Sequence, residues 1–217
     1  GCGLRTAKVS AYAARRVCRL SGRPALVDSD TCYGSPLNGV RTVELYQNAG
    51  AAGLFLEDQV WPKRCGHMSG KRVVERDEWL AKLRAVVETR GARDLFLVAR
   101  TDARAVIGLD EAIERGKAAS DLGADAVFIE APESVAELER IAAAIRGPKV
   151  ANLVEHGKTP LLAPDELHEI AGLIQIDMRR MSAGLSVTFP MRMHKTRRPY
   201  LSAYSAASAS PKALLTP

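Results

Sequence analysis

The sequence predicts an α/β fold built on a parallel sheet, and its polar residues narrow that to a (β/α)8-type barrel, the TIM barrel, with part of the wall missing. Three observations carry the prediction. Short apolar runs recur along the chain, amphipathic segments separate them, and every run ends in a polar or charged residue. Continuous apolar runs of this length are characteristic of parallel strands buried on both faces. Repeated strand–helix units with short connections make an α/β sheet.

In chain order, Pro24–Val27 leads into Asp28, Gly53–Leu56 into Glu57 and Leu95–Ala99 into Arg100. Ala126–Ile129 then leads into Glu130, and Lys149–Ala151 into Asn152; Leu173–Ile176 offers a sixth strand. Between the strands, Glu78–Glu88, Asp110–Leu122 and Val135–Ile145 have helical periodicity, the last opened by a Ser134/Glu137 capping box. A polar residue that merely marks where a strand leaves the core explains one or two such ends, not five in succession. An open doubly wound sheet concentrates its ligands at one switch point. A barrel brings all the C-terminal strand ends to one mouth, where active sites are built.

Composition excludes several function classes. With 47% hydrophobic and 26% charged residues the chain is ordinary for a globular protein, not disordered or collagenous. No run approaches the roughly 18–20 apolar residues of a membrane span, and Gly1–Ser10 has no signal-peptide pattern. The net charge of +6 is local: seven of the 31 basic residues but one of the 25 acids fall in 174–217, leaving 1–173 neutral. A basic nucleic-acid-binding surface is therefore not expected. Cysteines at 2, 18, 32 and 65 form no Cys-x-x-Cys pair, and Cys65-Gly66-His67 is far short of a zinc site. A reducing, cytoplasmic compartment is expected.

Two strand ends carry most of the chemistry: Val27-Asp28-Ser29-Asp30-Thr31-Cys32-Tyr33-Gly34, and Leu56-Glu57-Asp58-Gln59 running on to Lys63-Arg64-Cys65-Gly66-His67. Asp28, Asp30 and Glu57 are hard oxygen donors beside one mouth, the donor type Mg²⁺ prefers. Cys65 lies among Lys63, Arg64 and His67, a cationic setting that lowers a thiol pKa. Cys18, on a helical stretch, reads as structural.

These stretches, with Val98-Ala99-Arg100-Thr101-Asp102-Ala103 and Ala151-Asn152-Leu153-Val154-Glu155, resemble the isocitrate lyase and phosphoenolpyruvate mutase superfamily, specifically its 2-methylisocitrate lyase-like branch. The resemblance covers roughly Leu20 to Leu173. It implies a Mg²⁺-dependent carbon–carbon lyase that cleaves a 2-hydroxy di- or tricarboxylate, such as a 2-methylisocitrate or 2-alkylmalate, to an α-keto acid and a second carboxylic acid. It implies Asp28 and Asp30 as metal ligands, with Glu57 acting through water. Arg100 would supply charge at the 2-oxygen, and His67 and Gly66 would contact substrate. Glu130 and Asn152 would hold another carboxylate, Leu153 and Val154 would also bind substrate, and Cys65 would be the general acid that protonates the leaving enolate. Oxaloacetate hydrolysis or decarboxylation, or an inactive remnant, are the alternatives. A small carboxylate substrate and a homotetramer also follow from the resemblance.

The chain departs from the family pattern in three places. Cys32 replaces a glycine of the metal loop, so strain is expected there. Two barrel strands and a Ser-Gly-Gly substrate loop would precede residue 1, leaving the barrel incomplete. Residues 174–217 are expected to form a divergent, basic, low-complexity tail apart from the catalytic domain at 1–173.

Overall fold

The computed structural model describes residues 6–21, 24–64, 70–153, 157–162, 166, 170, 173–177 and 187–188. The elements in order are α1 (Ala7–Ser21), β1 (Ala25–Asp28), α2 (Pro36–Ala49), β2 (Gly53–Glu57), α3 (Arg76–Arg90), β3 (Phe96–Thr101), α4 (Ala103–Val106), α5 (Leu109–Leu122), β4 (Ala126–Ile129), α6 (Val135–Ala144), β5 (Lys149–Leu153), β6 (Leu173–Asp177) and β7 (Val187–Thr188). Every predicted apolar run is a strand. The strands lie in the order β6-β5-β4-β3-β2-β1-β7, parallel from β1 to β6 with β7 antiparallel to β1. The result is a curled half-barrel wall with helices on one side. Most of 174–217 lies outside the described residues, but β6 and β7 draw on that segment and join the sheet. No helix among the described residues is long and apolar enough to cross a membrane.

The helix boundaries follow local chemistry. Ser134 caps α6 by accepting the Glu137 amide at 3.2 Å, as the capping-box spacing predicted. Gly50 and Gly123 end α2 and α5 in the left-handed conformation that glycine adopts without a Cβ penalty.

Side chains alternate across a strand, and here each face buries a different cluster. Val27, Leu54, Leu56, Leu97, Ala99, Val127 and Ile129 face the helices and pack with Tyr46, Trp79, Leu83 and Ile113. The intervening residues Leu26, Val98, Ala126, Phe128 and Val150, with Phe55 and Phe96, fill the inner face. Burial on both faces is why these runs are continuously apolar.

Gly53 sits in close contact with Leu26 and Phe96 of the inner cluster. A Cβ there would lie 2.9 Å from Phe96 Cβ and would also meet the Phe96 carbonyl and Leu26 Cδ1. Gly53→Ala should therefore lower stability by about 1–3 kcal/mol, the usual cost of overpacking, measured as a fall in the urea midpoint with an unchanged slope. A neutral result would show that the inner face has room to spare.

Candidate active site

Each predicted rim residue lies two positions beyond a side chain of the inner cluster: Asp28 after Leu26, Glu57 after Phe55, Arg100 after Val98, Glu130 after Phe128 and Asn152 after Val150. The period of two carries the inner face from apolar to polar at the C-terminal ends of five adjacent parallel strands. Leu153, one position further, faces the other way. It packs with Leu138 and Ala151 in an apolar cluster beside α6, so its side chain is core and not part of the inner rim.

Asp30 reaches the same mouth by a turn and not by strand alternation, because β1 ends at Asp28. The Asp28 carboxylate accepts the Asp30 amide at 2.8 Å, and the Asp30 carbonyl accepts the Glu57 amide at 3.0 Å. The turn puts Asp30, Cys32 and Tyr33 at φ of 53°, 58° and 61°. Non-glycine residues in that region cost roughly 1–2 kcal/mol each, so the strain expected at Cys32 is present and extends to its neighbours. Cys32 is fully buried, with its sulfur 3.4 Å from Ser29 Oγ. Burial pushes its thiol up to about 12, against the weaker pull of the Ser29 contact. It is a packing residue.

The three predicted metal ligands converge on the ammonium of Lys63. Its Nζ pairs with Asp30, lies 3.2 Å from Asp28 Oδ2 and lies 3.4 Å from Glu57 Oε1. Among the described residues, no three His, Cys, Asp or Glu side chains stand close enough to form a ready metal cluster; these carboxylates are arranged around the lysine. Glu57 is buried, and its Oε1 has no hydrogen-bond partner among the described residues beyond that ion pair. Burial raises the Glu57 pKa to about 8, with Arg100 and Lys63 offsetting only part of the penalty. Desolvation, then the Asp28 charge, raises Asp30 as well.

Arg100 is the second cation of the mouth. Its guanidinium donates to Asp102 at 2.9 and 3.3 Å and lies 3.4 Å from both Glu57 Oε2 and Glu130 Oε2. The same group sits 5.1 Å from the centroid of the Phe128 ring, a cation–π contact. Behind it, Asp102 also accepts from Lys71 at 2.6 Å. On the helix-facing side, Asp58 accepts Thr101 Oγ1 at 2.6 Å, the Asp102 amide at 2.8 Å and Arg115 of α5 at 3.0 Å. This fully buried carboxylate ties the ends of β2 and β3 to α5. Asn152 Oδ1, buried on the same rim, has no hydrogen-bond partner among the described residues.

Cys65, Gly66, His67 and Val154 lie outside the described residues. The base of the loop that carries the first three is described: Gln59 bridges Val73, Val60 donates to the Arg72 carbonyl at 2.8 Å, and Lys71 reaches Asp102. The sequence reading missed Lys63 as a partner of the carboxylates, and the Asp58–Thr101–Arg115 and Lys71–Asp102 contacts. The only local signal for the last two was the acidic residue following each strand end.

A family model described as phosphoenolpyruvate phosphomutase matches residues 4–197. The chain belongs to this family. The match extends beyond Leu20–Leu173 at both ends and includes β6 and β7, so the likeness does not stop at Leu173. The chain is 45% identical over 174 residues to 2,3-dimethylmalate lyase of Eubacterium barkeri, covering 80% of this chain and 60% of that protein. It is 45% identical over 154 residues to 2-methylisocitrate lyase of Escherichia coli, covering 70% and 52%. A solved structure of oxaloacetate acetylhydrolase with 3,3-difluorooxalacetate superposes with TM-score 0.78 at 37% identity, covering 84% of this chain and 63% of that one. A crystal structure of 2,3-dimethylmalate lyase gives TM-score 0.78 at 34% identity, covering 84% and 62%. The chain thus spans between about half and less than two thirds of these relatives. The phosphoenolpyruvate phosphomutase fold accounts for the half-barrel and for the single rim.

Asp102 provides a test of the rim's electrostatics. Burial favours its neutral form, but the Arg100 guanidinium and the Lys71 ammonium outweigh that and hold its pKa below the ordinary value. A depressed carboxyl contributes stability that is fully present above its unfolded pKa, about 3.9, and is lost as pH falls through the folded value. Asp102→Asn should cost about 3–5 kcal/mol at neutral pH, because two buried cations each lose a charged partner. The gap to wild type should narrow below about pH 4. Urea denaturation across pH 3–8 reads both effects; a gap that does not change with pH would contradict them.

Proposed function

We propose that the protein is a Mg²⁺-dependent carbon–carbon lyase acting on a small 2-hydroxy di- or tricarboxylate, within a reducing, cytoplasmic compartment. The observation that carries the reading is the charge of the rim. With every carboxyl ionised, Asp28, Asp30, Glu57, Asp102 and Glu130 would face Lys63, Lys71 and Arg100 with an excess of two negative charges among these eight residues, and the raised pKa of Glu57 reflects that excess. Buried charge without compensation is costly, and one divalent cation would offset that excess. The donors suit Mg²⁺: they are carboxylate oxygens, and the buried Glu57 Oε1 has, among the described residues, no hydrogen-bond partner beyond its ion pair with Lys63. Asp28, Asp30 and Glu57 would hold the ion, which when bound would supply Lewis-acid charge for a carboxylate and the adjacent 2-oxygen. The unpaired thiols of Cys18 and Cys32 accord with the proposed compartment.

The remaining roles belong to the chain's own side chains. Arg100, fixed by Asp102 and resting against Phe128, provides positive charge that does not need to reorganise during bond cleavage. Asp58 positions that arginine indirectly, by holding the Asp102 amide and Thr101. Asn152 would donate its side-chain amide N–H to the distal carboxylate of the substrate, with Glu130 beside it on the rim holding Arg100 in place. As the C–C bond breaks, the 2-hydroxyl gives its proton to water at the mouth and becomes the carbonyl of the keto acid. The electron pair passes to the other fragment as an enolate, to which Cys65 would give the proton while His67 and Gly66 hold the substrate.

A second reading, hydrolysis of oxaloacetate, is favoured by the likeness to oxaloacetate acetylhydrolase. Incubating the protein with 2-methylisocitrate, 2,3-dimethylmalate and oxaloacetate, with and without Mg²⁺, separates the two by product. The lyase reading expects Mg²⁺-dependent release of an α-keto acid from a 2-hydroxy acid. Oxalate and acetate from oxaloacetate would support the second, and no turnover would point to an inactive remnant. In the same assay Cys65→Ser should lower turnover by a factor on the order of 10²–10⁴, the usual worth of a positioned proton donor, while substrate affinity holds. Full turnover by that variant would remove Cys65 from the chemistry.

A further inference from the structure

We infer that Lys63 is a built-in counter-cation which competes with the divalent ion for Asp28, Asp30 and Glu57, so that metal can enter only as the lysine leaves. The inference rests on the reading that these carboxylates hold the metal, and it goes on to assign a role to a residue outside the ligand set.

Geometry places the ammonium against all three carboxylates at once: it pairs with Asp30, and lies 3.2 Å from Asp28 and 3.4 Å from Glu57. The same three groups cannot all surround an ammonium and a hard divalent cation, since both ask for the same oxygen lone pairs. Two positive centres sharing one carboxylate cage would also repel strongly at such short range. The lysine is not there by chance of a loose side chain. Gln59, buried at the root of the loop, grips the neighbouring residue from both sides. Its Nε2 donates to the Arg64 carbonyl at 2.9 Å, and its Oε1 accepts the Arg64 amide at 2.9 Å. That clamp fixes the backbone that presents Lys63 to the carboxylates, so that withdrawal of the ammonium would fall to the rotatable bonds of its four-carbon stem.

Two consequences follow. In the absence of metal, Lys63 limits the repulsion among carboxylates that desolvation and proximity would otherwise make severe. In the presence of metal, the free energy of breaking three ion pairs is subtracted from the affinity, so the site binds its ion more weakly than its donors alone would. Release of the ammonium also hands a mobile cation to the mouth at the moment the metal arrives, and an anionic substrate is the natural partner for it.

The test is isothermal calorimetry of Mg²⁺ and Mn²⁺ binding to the 217-residue chain and three variants, with circular dichroism to verify folding. Lys63→Met removes the competitor and should tighten metal binding by a factor on the order of 10 or more. It should also lower the melting temperature without metal and enlarge the stabilisation that added metal produces. Lys63→Arg keeps the charge and should bind metal no more tightly than wild type. Lys158→Met, which removes an exposed cation paired with Glu133 at 3.2 Å, should change affinity by no more than about twofold because solvent and salt screen it. Equal or weaker metal binding by Lys63→Met would overturn the inference alone, as would an equal gain in Lys158→Met. No metal binding by any of the four proteins would overturn both the inference and the metal site beneath it.

Discussion

The rim depends on one constraint: carboxylates brought together at the end of an apolar wall must each find positive charge or a proton. Asp28, Asp30 and Glu57 find Lys63; Glu57, Asp102 and Glu130 find Arg100; Asp102 also finds Lys71. Lys63 and Arg100 each serve three acids. Where that supply falls short the structure responds chemically, as the raised pKa of Glu57 records. The helix-facing side has a simpler balance, in which Asp58 is satisfied by Arg115, a hydroxyl and an amide. Strand positions that point outward therefore brace the wall, and those that point inward hold the clustered charge of the rim.

Much of this was legible in the sequence for a definite reason. Strands buried on both faces leave continuous apolar runs, and the polar residue that ends each run marks the rim, so Asp28, Glu57, Arg100, Glu130 and Asn152 could be placed before any coordinates. The Ser134 cap of α6 was an equally local signal, whereas the strain at Cys32 was expected from the glycine of the family pattern. Leu153 was grouped with its neighbour Asn152, but the alternation of strand side chains puts its side chain on the opposite face. Asp30 reached the right place by a left-handed turn that no strand period describes.

What escaped the sequence was contact between distant segments. Lys63 lies 33 and 35 residues from Asp30 and Asp28, and its position beside Cys65 suggested a role toward the thiol instead. Arg115 lies 57 residues from Asp58 on a helix whose periodicity reads as ordinary amphipathicity. Such pairs become visible only when the sheet brings successive strand–helix units into register. Strand β7 was equally hidden, because two residues within a segment rich in small side chains give no periodic signal.

The central claim is that the inner rim holds a divalent cation between Asp28, Asp30 and Glu57, and anomalous diffraction from crystals grown with Mn²⁺ tests it most directly. The account predicts one strong anomalous peak within coordination distance of Asp30 and beside Asp28 and Glu57, with the Lys63 ammonium withdrawn from all three. An unbroken Lys63 cluster with no peak at the rim, or a peak bound elsewhere on the molecule, would contradict it.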